Sequence, residues 1–180
     1  MELRTIMLAA VLATAAGAAH AQEPAKPDLD GFKLGAGIAV TVDFGGIERI
    51  SDAELVNGVV RVRDEDDVRA GLMLETHYFF PSSGKLWNVE PGDWGHGPFF
   101  AVQPGTEEII ETAALGWMIG FRPKGGTNSF NLGIGVAVDP NTQTLGDGVV
   151  RNMPLPVGET QIRYREEAQY GVLILFSRTF

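Results

Sequence analysis

From residue 32 to 44 the chain alternates without a break. Phe32, Leu34, Ala36, Ile38, Val40, Val42 and Phe44 fall on one face of a strand, and Lys33, Gly35, Gly37, Ala39, Thr41 and Asp43 on the other, because successive strand residues point to opposite sides. The same code returns from Val68 to Phe80. There Val68, Ala70, Leu72, Leu74, Thr76, Tyr78 and Phe80 oppose Arg69, Gly71, Met73, Glu75, His77 and Phe79. It returns over 109–122, with Leu115, Trp117, Ile119 and Phe121 against Gly116, Met118, Gly120 and Arg122, and over 130–139, with Phe130, Leu132, Ile134, Val136 and Val138 against Asn131, Gly133, Gly135, Ala137 and Asp139. Shorter alternating runs cover 59–63, 98–103 and 160–165. A last run ends the sequence with Tyr170, Val172, Ile174, Phe176 and Arg178 on one face before Phe180. The pattern predicts an all-β fold: an antiparallel up-and-down β-barrel of eight strands forming a single domain over 32–180.

The two faces differ in kind. One is apolar with aromatics at its ends, and the other is small or charged. A soluble sandwich puts larger polar residues on its water-facing side. A strand facing lipid needs an unbroken apolar band and favours aromatic girdles, and small residues suit a cramped interior. Many of the 23 glycines occupy alternate positions within the apolar segments. Between strands, Ser51-Asp52-Ala53-Glu54 matches a capping box and predicts a helical turn. Asp64-Glu65-Asp66-Asp67 predicts an acidic turn, since it lacks the glycine and ligand spacing of a calcium loop. The segment 81–97 reads as a long irregular loop carrying Trp87 and Trp94, and 140–159 has no clear period. With eight strands, 140–159 falls on the side of the short turns, and 166–169 makes a very short turn on the side of the long ones.

Residues 1–21 read as a cleaved signal peptide. Arg4 supplies the positive region, 6–18 is apolar and too short to span a bilayer, and Ala19-His20-Ala21 is an A-x-A cleavage site. Residues 22–31, with Pro24 and Pro27, predict a flexible mature N-terminus. No cysteine is present, so an exported chain must be stabilised by burial and closed hydrogen bonding rather than by disulfides. The net charge of −9 without a basic stripe argues against nucleic acid as a partner.

A signal peptide, the dyad repeat, eight strands and a terminal phenylalanine together resemble the small Gram-negative outer-membrane β-barrels, such as OmpA-like transmembrane domains and OmpW-like barrels. The resemblance implies a location in the outer membrane, outer-membrane lipid as surroundings, and the barrel assembly machinery as a partner through the C-terminal strand ending in Phe180. It also implies that this strand closes the barrel against the first, and that the role is structural, surface-binding or minor transport, without enzymatic activity or cofactor.

The interior-facing positions collect Lys33, Asp43, Arg61, Arg63, Arg69, Glu75, Arg122, Asp139, Arg163 and Arg165. Charges in so narrow a space must pair, so a structural ion-pair network is expected. An arginine-lined, anion-preferring passage is the functional alternative, opposed by an eight-stranded interior that side chains just fill. Trp87 and Trp94, with Phe99 and Phe100, are candidate surface contacts to sugar or lipid headgroups. His77 and His96, near Ser82 and Ser83, suggest an outer-membrane lipid hydrolase similar to the lipid A deacylase, but no nucleophile motif accompanies them. No His pair or cysteine has metal-ligand spacing. A soluble, lipocalin-like exported barrel, with the apolar faces turned inward onto a hydrophobic ligand, is the other alternative.

Overall fold

The computed structural model describes residues 31–45, 47–64, 67–105, 108–124, 126 and 128–180. The predicted signal peptide and nearly all of the predicted flexible N-terminus lie outside these residues, as does the centre of the acidic turn. The described chain is all-β, with strands β1 (Gly31–Phe44), β2 (Asp52–Val56), β3 (Val59–Asp64), β4 (Val68–Pro81), β5 (Trp94–Gln103), β6 (Thr112–Phe121), β7 (Phe130–Leu145) and β8 (Tyr164–Thr179). Eight strands are present, but six of them, β1-β4-β5-β6-β7-β8, form the closed barrel, and β2 and β3 form a separate hairpin. Every neighbouring pair in the ring is antiparallel.

The seam pairs β8 with β1, from Gly35 opposite Thr179 to Phe44 opposite Tyr170. This is the closure anticipated from the last alternating run. Over that stretch it covers the edges of β1 and β8 and closes the ring.

Two expectations about elements are corrected. Residues 160–165 and 170–180 do not form two strands around a turn. Glu166, Glu167 and Gln169 pair with Gln143, Thr142 and Asp139, so β8 runs straight through 166–169, and β7 continues past its irregularity between Asp139 and Thr142. Pro140 explains why the alternation broke off at that point, since proline cannot donate to the ladder and marks bulges. The capping-box reading of 51–54 also fails. Asp52 to Val56 is extended and pairs with β3 across Asn57-Gly58, whose φ values are +53° and +78°. Both turn residues in the left-handed region are what a tight hairpin between right-twisted strands requires.

With six strands in the ring, the connections sort differently from the eight-strand expectation. The lower end, where β1 begins and β8 finishes, carries 82–93 and 122–129. The upper end carries 45–67, 104–111 and 146–163. The two longest connections, 45–67 and 146–163, therefore share the upper end, which removes the misplacement of 140–159 that eight strands imposed. They also pack together. Val60 N–H donates to the Met153 carbonyl, Asn152 N–H to the Val60 carbonyl and Ile50 N–H to the Gln143 carbonyl, each at 2.9 Å. Ile50, Val60 and Val149 are buried beneath this cap.

The two faces separate as the alternation predicts. Phe32 is 79 % exposed, and Leu34, Ile38, Leu72, Leu74, Phe100, Leu115, Ile134, Val136, Ile174 and Phe176 are likewise exposed along the outer wall. Inside, Met73, Phe79, Phe99, Met118, Leu173 and Leu175 are fully buried and fill the middle of the barrel with Ala39, Ala101, Ala114 and Ala137. Glycines make the room for these groups. A Cβ at Gly120 would strike the Phe79 ring and the Asn131 amide, and one at Gly35 would strike the Glu75 carboxylate.

Candidate functional site

Above and below the apolar plug, the interior holds two polar clusters. The lower one starts from consecutive inward positions on β4. The Glu75 carboxylate reaches past Gly35, where no side chain obstructs it, toward β7 and β8. It accepts from Ser177 Oγ at 2.9 Å and from Asn131 Nδ2 at 3.4 Å, and its other oxygen lies 2.8 Å from His77 Nδ1. Asn131 Nδ2 also donates to Ser177 Oγ, and Ser129 Oγ donates to Asn131 Oδ1 at 2.7 Å. The Glu75 and His77 side chains are both entirely buried. The carboxylate thus ties three strands together across the interior, and His77 packs its ring on Phe79 with centroids 4.1 Å apart.

The upper cluster sits at the barrel mouth. Arg49, from the connection after β1, turns inward and donates to Asp43 at 3.2 Å, Asp139 at 2.7 Å and Thr142 at 2.8 Å. Arg69 donates to the same two carboxylates at 3.3 and 3.2 Å and to Thr112 at 3.4 Å. Two arginines and two aspartates balance, which is the condition under which buried charges are tolerated. Arg49 escaped the sequence reading because it belongs to no alternating run. Its only signal was a lone cation just beyond a strand whose last inward residue is an acid. Over the mouth, a cavity of about 330 Å³ is lined by Arg49, Glu108, Glu111, Asp139, Asn141 and Glu166.

Of the ten predicted interior charges, Asp43, Arg69 and Asp139 meet in the upper cluster and Glu75 in the lower. Arg122 lies nearly buried at the lower rim, donating to the Gly92 carbonyl at 2.6 Å and to Asp93 at 3.2 Å. Lys33 is half-buried on β1, in register with His77. The other four are outside the lumen. Arg61 and Arg63 belong to the β2–β3 hairpin, where they are exposed and bond Asn152 and Glu54. Hydrogen bonding and charge from Glu54 hold the Arg63 guanidinium above its ordinary pKa. Arg163 and Arg165 are exposed near the start of β8 and bond Glu159, Asp147 and Glu167. The physical reason is the strand count: the run 59–63 belongs to the separate hairpin, and 160–165 leads into the upper end of β8 instead of forming a stave of its own.

Of the candidate surface contacts, Trp87 is 82 % exposed at the tip of 82–93, in a turn closed by paired Leu86 and Val89, with φ at +52°. Trp94 is a strand residue rather than a loop one. Its indole N–H donates to the Gly84 carbonyl at 2.8 Å, and its ring stacks on His96. His96 also packs on Trp117, and Phe80 stacks on Trp117 at 5.9 Å. Phe32, Tyr78 and Phe80 extend this patch at 5.2 and 5.3 Å. The outer wall therefore carries a run of contacting rings at its lower end. Phe99 faces inward and belongs to the plug, whereas Phe100 faces outward.

The residues that suggested a hydrolase are not assembled as one. His77 Nδ1 is taken by Glu75, its Nε2 has no partner among the described residues, and the Ser177 hydroxyl bonds the Glu75 carboxylate. Ser82 accepts the Gly92 N–H in the lower connection. Among the described residues, no group of three or more His, Asp or Glu side chains is placed to hold a metal ion. No family model, curated protein or solved structure matches the chain.

Proposed function

We propose that this protein is an outer-membrane β-barrel whose role is structural or surface-binding rather than catalytic. The observation that carries the reading is the outer wall, where apolar side chains face outward on all six ring strands while the polar clusters lie inside. From Phe32 to Phe44, at ~3.3 Å per residue and a tilt of ~45°, the apolar band is roughly 28 Å tall. That matches the hydrocarbon thickness such strands must cross. The closed ring supports it further, since hydrocarbon offers no partner for an unpaired backbone group. The two longest connections, 45–67 and 146–163, lie opposite the end where β1 begins, the asymmetry of barrels with long outer loops.

A ring of six is narrower than the eight strands of the smallest bacterial barrels, and its interior is filled accordingly. The packed plug between the two clusters weighs against transport through the lumen. It weighs equally against a lipocalin-like ligand cavity, for which the apolar faces would have to turn inward. The folded cap of the β2–β3 hairpin and 146–163 then serves as the surface the protein presents. Fractionation of cells producing the full chain tests this. The protein is expected in the outer-membrane pellet, released by detergent and not by alkaline carbonate. Recovery in the soluble fraction would overturn the reading.

A further inference from the structure

One cation stands in the apolar wall without an acid beside it. Arg178, near the end of β8, faces outward opposite Ala36 of β1 and Phe130 of β7. Exposed Phe176 and Phe180 flank it along its own strand. Its guanidinium carbon lies 5.3 Å from the centroid of the Phe130 ring, and no carboxylate bonds it among the described residues. By contrast, Arg49, Arg69, Arg122 and Arg165 each hold a carboxylate. A guanidinium resting on a ring keeps its N–H edge free for an oxyanion, and its fork matches phosphate geometry. A cation on an apolar wall is costly unless it snorkels to the interface or meets an anion at its own depth.

We propose that Arg178 is the contact for the phosphate of a membrane glycerophospholipid at the lower end of the barrel, an inference that rests on the membrane reading above. A second observation favours an anionic headgroup there. Among the described residues the lower connections carry Lys85, Arg122 and Lys124 against Glu90 and Asp93, with Lys85 paired to Glu90, while acids outnumber arginines in the upper connections. Basic residues beside a membrane attract anionic lipid surfaces.

The test is native mass spectrometry of the full protein, folded in detergent and exchanged against dimyristoyl phosphatidylglycerol. Arg178→Gln should lower lipid retention about tenfold, the scale set by losing charge-assisted hydrogen bonds. Arg178→Lys should retain part of it, and inorganic phosphate should not displace the lipid. Equal retention by folded wild-type and Arg178→Gln protein would overturn the proposal alone. Displacement by inorganic phosphate would replace the lipid with a free-phosphate site. Failure of the wild type to enter phosphatidylglycerol vesicles would overturn the membrane reading with it.

Discussion

At the scale of single residues, Glu75 joins β4, β7 and β8 across the interior. It meets His77, Asn131 and Ser177 from a fully buried position. Removing one member of a buried pair leaves the other uncompensated, so Glu75→Ala should destabilise the protein by about 3–5 kcal/mol. Replacing both members by apolar side chains removes the unpartnered polar group as well as the pair. The double variant Glu75→Met/His77→Leu should therefore recover most of the loss. Urea midpoints of the folded protein measure both. A double variant as unstable as the single one would mean that the pair is not the source of the effect.

At the scale of elements, the β2–β3 hairpin lies outside the ring, and its stability should be separable from that of the seam. Gly58 sits at φ +78°, where a β-branched residue is strained by about 1–3 kcal/mol. Gly58→Val should speed hydrogen exchange at the amides of Val60 and Ile50, which bond across the cap, while leaving β1 and β8 protected. Equal loss of protection at the seam would show that cap and ring unfold together.

The strands that were legible in the sequence are those whose inner and outer faces meet different surroundings throughout. β1, β4, β6 and the lower half of β8 keep the dyad because one side meets the packed interior and the other does not. The hairpin and the upper part of β7 were not legible, since their partners are other connections and neither face has a constant environment. Asn57-Gly58 carried the turn signal, but the preceding capping-box spacing pointed to a helix instead. The balanced upper cluster was half legible: Asp43, Arg69 and Asp139 share the inward register, whereas Arg49 enters from a connection whose path only the folded cap defines.

For the whole molecule, the face assignment decides everything else. If the outer wall lies in lipid, the filled interior, the closed seam and the upper cap form one consistent object. If it does not, an apolar surface covering six strands must be buried against something else. The chain has no cysteine, so single-cysteine variants can be labelled without background. The most direct test places a bimane label at Ile134, in the middle of β7's outer face, and a control label at Val157 in the cap, with the protein reconstituted in vesicles. The label at Ile134 should be quenched by lipids brominated along their acyl chains and shielded from aqueous iodide, with Val157 showing the reverse. Quenching of Ile134 by iodide to the same extent as Val157, with no response to brominated lipid, would contradict the account.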